Sequence, residues 1–133
     1  MPEIKKVVLD TNVLMLPYQF RIDVAGEVGR LVDGKYVFVT TSKALAELEK
    51  LKETKKVSSR AARLAISYAG HLKNKGLLEI IESSMKVDDW IVDYARKSAG
   101  CIVCTNDMLL KARLKGCGVR LLGLRSKDHL DFV

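Results

Sequence analysis

The chain has 133 residues, 48% of them hydrophobic and 29% charged, and carries a net charge of +7 at neutral pH. One domain, residues 1–133, is enough chain to bury about two-thirds of the surface its unfolded form exposes, so folding requires neither a disulfide nor a structural metal. No apolar run approaches the roughly 18 residues of a membrane span, and Val7-Val8-Leu9 behind Lys5 and Lys6 is too short for a signal peptide; the expected location is the cytoplasm, with no membrane partner.

Residues 4–9 predict a buried first strand. Pro17 and Gln19-Phe20-Arg21 interrupt the next segment, and Val24, Val28, Leu31 and Val32 then recur at helical spacing as far as an Asp33-Gly34 turn. Lys35 to Thr40, rich in β-branched and aromatic residues, predicts a second strand. Ser42 is placed to cap a helix that turns Ala44, Leu45, Leu48 and Leu51 inward. After a charged break at 53–56, a longer helix is expected to bury Val57, Ala61, Leu64, Tyr68 and Leu72 and to end at Lys75-Gly76. A third strand is predicted at 77–81. Asp88-Asp89 opens a helix with Ile91, Ala95 and Ala99 inward, stopped by Gly100. A fourth strand at 101–104, a helix at 106–115 and a fifth strand at 119–122 complete the pattern, and the tail from about Ser126 is expected to pack on the surface. Strands alternating with helices predict an α/β fold: a central parallel five-stranded sheet flanked by helices on both faces.

Cys101 and Cys104 form a C-x-x-C, but side chains three apart on a strand point to opposite faces, so buried free thiols are expected rather than a redox pair. His71 and His129 lack ligand spacing, which argues against zinc. The charge is uneven. Residues 43–75 hold nine Lys or Arg, among them Lys50, Lys55, Lys56 and Arg60, against Glu47, Glu49 and Glu53. A basic face of this kind suits a polyanion such as RNA; a solvated helix face is the plainer alternative.

The acids carry the chemistry. Val7-Val8-Leu9 ends on Asp10-Thr11-Asn12, and the pattern nearly recurs at Cys101-Ile-Val-Cys104-Thr105-Asn106-Asp107. In open α/β sheets ligands bind at the carboxyl ends of the strands, so two acids brought there share a site. Asp107, Asp88 and Asp89 also fit plain helix-start roles. Glu47 and Glu49 lie on opposite flanks of their helix's apolar stripe, about 90° and 110° from its centre, and the period does not separate them. Carboxylates ~4 Å apart repel by about 4 kcal/mol at an effective dielectric of ~20. Converging acids therefore protonate or bind a divalent metal, and oxygen-only ligands select Mg²⁺ or Mn²⁺.

With these motifs in order, the chain resembles the PIN domain, a family of metal-dependent ribonucleases. The resemblance rests on V-V-L-D10-T-N, A-L-A-E47-L-E-K-L, D-D89-W-I-V-D-Y-A and C-I-V-C-T-N-D107. It implies an acidic, metal-holding catalytic centre of Asp10, Glu47, Asp89 and Asp107, with Asn12 and Thr105 as hydrogen-bonders that orient the carboxylates. Asp88 stands one residue from the third acid, and the choice of Asp89 rests on its spacing to Gly100 and Thr105. T-S-K-A-L-A-E-L and T-N-D-x-x-L-K-x-R resemble the archaeal branch related to rRNA-processing endonucleases. The second branch is the toxin of a VapBC-type toxin–antitoxin pair, which implies a small antitoxin partner; a homodimer is compatible with either. Two rival readings are a non-cleaving RNA-binding assembly factor and a phosphoryl-transfer module using Asp10 as acceptor. The second lacks the further Asp it would need at position 12, where Asn12 stands.

Overall fold

Five residues, Lys5–Leu9, form the strand β1, whose Val7, Val8 and Leu9 are almost wholly buried. The computed structural model describes residues 3–133. After β1 the chain makes a 3-10 turn at Thr11–Met15 and a four-residue helix α1, Leu16–Gln19, then α2, Val24–Leu31. The remaining elements are β2 (Tyr36–Thr41), α3 (Ser42–Lys52), α4 (Ser58–Asn74), β3 (Leu78–Ile81), α5 (Val87–Lys97), β4 (Ile102–Cys104), α6 (Met108–Leu114), a 3-10 turn at Lys115–Cys117, β5 (Arg120–Arg125) and β6 (His129–Phe132).

The sheet has six strands in the order β3-β2-β1-β4-β5-β6. All neighbours are parallel except β5 and β6, which form an antiparallel hairpin with Leu122 opposite Phe132 and Leu124 opposite Leu130. Side chains alternate between two cores. Val7, Leu9, Phe38, Ile102, Cys104 and Leu122 face α2, α4 and the first 3-10 turn. Val8, Val39, Val103 and Leu121 face α5 and α6. Cys101 and Cys104 fall in different cores as free thiols, as the strand period requires. Burial pushes the Cys104 thiol up to about 12, which leaves no reactive thiolate there.

The expected sheet of five strands is thus a sheet of six. The tail forms β6, reached through a turn in which Ser126 takes a left-handed φ of 60°. Residues 11–19 are also more ordered than expected: Val13, Leu14, Met15 and Leu16 are buried, and Pro17 sits in the first turn of α1, where its missing N–H costs no hydrogen bond. Thr41 rather than Ser42 caps α3, accepting the Ala44 amide at 3.1 Å. Val57 precedes α4 and is fully exposed, and α5 stops at Lys97, leaving Ala99 exposed.

Candidate active site

Chain order and sheet order part company at β1 and β4: the chain steps outward from β1 through β2 to β3, then returns to lay β4 on β1's other side. A crevice opens at the carboxyl ends of strands at such a switch point. Asp10 follows β1 directly, and its amide donates to the Cys104 carbonyl at 3.1 Å, continuing the ladder to β4. The side chain is 9% exposed, as expected for a residue leaving a central strand. Its Oδ1 accepts the Thr11 amide at 2.8 Å, and its Oδ2 accepts the Thr105 hydroxyl at 2.7 Å. Thr105 Oγ1 in turn accepts the Asp107 amide at 3.1 Å. One buried hydroxyl therefore couples the first acid to the backbone of the last.

Asp107 caps α6, its Oδ1 accepting the amides of Leu109 and Leu110 at 2.8 and 3.1 Å. The cap fixes the carboxylate and leaves Oδ2 free of that role. The loop carrying it is latched to β5: Asn106 Oδ1 accepts the Leu124 amide at 2.7 Å, and Gly123 passes so close to the Thr105 carbonyl that a Cβ there would sit 3.0 Å from it.

A cleft at this switch point is lined by Asp10, Thr11, Asn12, Lys43, Glu47, Lys86, Asp88 and Asp107. Glu47 is on it, whereas Glu49 pairs with Lys52 at 2.9 Å along the outer surface, so packing separates two acids that periodicity does not. Of the two candidates for the third acid, one is in the cleft lining. Asp88 lines the cleft and Asp89 does not, although both reach Arg113 of α6: Asp89 lies 2.9 Å from its Nη1 and Asp88 3.6 Å. Asn12 lines the cleft, but the bonds that orient Asp10 come from Thr105 and the Thr11 amide.

The electrostatics reflect a shared site. Burial raises the Asp10 carboxyl above its ordinary value; the bonds from Thr105 and Thr11 pull it back, and Asp107 and Asp88 push it up. Glu47 is raised first by burial. Lys43 and Lys50 oppose the rise, while Asp10 and Asp88 add to it. Among the described residues, no three His, Cys, Asp or Glu side chains are grouped tightly enough to hold an ion by themselves. The donor set nevertheless fits a hard divalent cation. Mg²⁺ takes only one or two carboxylates directly and keeps several waters, for which the wider spacing leaves room. The hydroxyls of Thr11, beside the cleft, and of Thr40, on β2, are buried without a hydrogen-bond partner.

Residues 7–127 match the family described as PIN like domain. The chain belongs to that family. This PIN-like domain is 33% identical over 132 residues to "Ribonuclease VapC9" of Archaeoglobus fulgidus, spanning 98% of this chain and 90% of that one. It is 28% identical over 127 residues to "Ribonuclease VapC4" of Methanocaldococcus jannaschii, spanning 95% of each. Its fold is that of the PIN domain endonuclease Utp24, with a TM-score of 0.76 at 24% identity, over 96% of this chain and 90% of that one.

Three cleft residues of this PIN-like domain escape a reading of the sequence. Lys43 lies four residues before Glu47, hence on the same helix face, and that spacing is the available signal. Lys86 directly precedes the acid pair. The orphaned Thr11 hydroxyl leaves no trace in the sequence. The basic residues Lys50, Lys55, Lys56 and Arg60 are all exposed and lie outside the cleft lining. Lys50 is close enough to Glu47 to influence its ionisation.

Proposed function

We propose that this PIN-like domain is a cytoplasmic, Mg²⁺- or Mn²⁺-dependent endoribonuclease that hydrolyses RNA phosphodiester bonds. The observation that carries the reading is the convergence of Asp10, Glu47, Asp88 and Asp107 on one switch-point cleft that also receives Lys43 and Lys86. A fold has no need to gather mutually repelling acids unless something positive is bound among them. The ribonuclease names of both sequence relatives support the same conclusion.

Asp10 is the central ligand of the ion. Its orientation is set by Thr105 and the Thr11 amide, which leave it ionisable despite burial. Glu47, Asp88 and Asp107 complete the site, directly or through water. When bound, the ion supplies a water of lowered pKa and neutralises charge on the scissile phosphate. Lys43 and Lys86 neutralise the adjoining phosphates, and the exposed Lys50, Lys55, Lys56 and Arg60 hold flanking ones. Asp88 is taken as the third acid in place of Asp89, supported by its position in the cleft lining.

The sequence motifs taken alone favour an RNA-processing role. The two VapC-named relatives, matched over nearly their whole lengths, favour the other branch: the toxin of a VapBC-type pair, with a small antitoxin as protein partner. The deciding experiment titrates Mn²⁺ into the wild type and Asp10→Asn with single-stranded and structured RNA. Metal-dependent cuts by the wild type, lost in the variant, are expected. Equal cutting by both would overturn the assignment. Growth arrest on expression, relieved by an upstream-encoded small protein, separates toxin from processing enzyme.

A further inference from the structure

We infer that a second groove, beside α1 and the start of α4, is the subsite that holds the single-stranded RNA flanking the cut, stacking a base on Tyr18 between Arg21 and Arg60. The inference rests on the ribonuclease reading of the acidic cleft. The groove is lined by Pro17, Tyr18, Arg21, Val57, Arg60 and Leu64 among others, and shares no residue with that cleft.

Four observations carry it. First, no acid lines the groove, and neither arginine forms an ion pair among the described residues, so the charged side chains of the lining are both positive. Second, its apolar members are open to solvent: Tyr18 is 39% exposed and Val57 fully so, and neighbouring Phe20 is 38% exposed. An aromatic face between cations is the platform that sequence-tolerant single-strand binders use, since every base has a π-face and every nucleotide a charge. Third, Arg21 holds a left-handed φ of 57°, a conformation that a non-glycine residue keeps only where its surroundings impose it, and one that collects at ligand clamps. Fourth, the groove and the cleft share supporting elements: the 3-10 turn that gives Thr11 and Asn12 to the cleft packs against α1 and α4, which line the groove. On α3, Lys43 and Lys50 flank Glu47 on its own face and add positive charge beside the acids, and α4 packs against α3. Charge complementarity favours RNA over an apolar peptide or a second copy of the chain as the occupant.

The test measures binding of a fluorescein-labelled 12-nucleotide single-stranded RNA by anisotropy in excess chelator, where nothing is cut, and cleavage of the same RNA with Mn²⁺. Arg21→Ala/Arg60→Ala should weaken binding about tenfold or more and flatten the dependence of log affinity on log salt by about 1.4, at about 0.7 per phosphate released from a single strand. Tyr18→Leu should weaken binding about tenfold, as loss of one stacked base implies, with little change in the salt slope, and should abolish the fluorescence quenching of a 2-aminopurine placed next to the cut. All these side chains are exposed, and an unchanged circular dichroism spectrum checks the fold. Wild-type binding and salt slope in the double variant overturn the subsite; if Asp10→Asn still abolishes cleavage, the nuclease reading survives alone. Loss of self-association or of a protein partner, with RNA binding intact, also overturns it in favour of a protein-docking groove. A wild type that neither binds nor cuts RNA removes both readings together.

Discussion

The Thr105 hydroxyl donates to Asp10 Oδ2 at 2.7 Å, joining residues 95 positions apart across the ends of two central strands. The same oxygen accepts the Asp107 amide, so Thr105 sets the distance between the first and last acids of the cleft. Outer partners of this kind, when removed from metal sites, cost 10–100-fold in metal affinity or activity. Thr105→Val keeps the shape and loses the hydroxyl. It should lower cleavage by about that factor, and raise the Mn²⁺ concentration needed for half-maximal rate, with the overall fold retained.

Thr11 presents the reverse situation. Its buried hydroxyl has no partner, and leaving such a group unmade costs about 1–3 kcal/mol. Thr11→Val should therefore raise stability towards denaturant by about 1 kcal/mol, read from urea melts of the variant and the wild type. A variant less stable than the wild type would show that the hydroxyl is hydrogen-bonded after all.

Asp88 and Asp89 are separable by substitution. Asp88→Asn should lose most cleavage. Asp89→Asn should keep it, giving up only a half-exposed ion pair with Arg113 that is worth at most about 1 kcal/mol. Parallel cleavage assays and urea melts on the two variants check this, and the opposite order of activities would return the third-acid role to Asp89.

Asp10 links activity and stability through pH. Burial raises its folded pKa above the ordinary 3.8, so the folded protein holds the proton more tightly than the unfolded chain. Below the unfolded value both states are protonated and Asp10 costs nothing. As pH rises through the folded value, ionising the buried group costs stability. Asp10→Asn should thus melt higher than the wild type at neutral pH, and the gap should close below about pH 4. Glu47 is shifted in the same direction, so in the metal-free protein its ionisation adds to the same loss of stability with rising pH.

Gly123 supports the site from β5. A Cβ there would lie 3.0 Å from the Thr105 carbonyl and 3.2 Å from Asn106 Oδ1, and the backbone neighbour has little room to move. Gly123→Ala should destabilise the fold by about 1–3 kcal/mol and displace the loop that carries Thr105 and Asp107, lowering cleavage as well. Differential scanning fluorimetry and the cleavage assay on one preparation test both effects.

The residues by themselves determined the α/β pattern, the parallel core and the placement of Asp10 and Asp107 at strand ends. These features arise from local periods and from short runs such as Val7–Leu9 and Ile102–Cys104, whose burial on both faces is written in consecutive apolar positions. Other features required the assembled chain. The β6 strand pairs only because a left-handed Ser126 turns the tail back onto β5, and no Asn-Gly or similar turn signal marks it. Val57 lies in phase with the α4 stripe, yet precedes the helix and never reaches the core. Asp88 and Asp89 have equal local claims, and Glu47 and Glu49 nearly so. Helical period places residues only relative to their own axis, and which face meets the crevice depends on how α3 and α5 dock on the sheet. Tertiary packing alone brings Lys43 and Lys86 into the same cleft as acids distant in sequence, because a field shared across such distances has no local pattern to carry it.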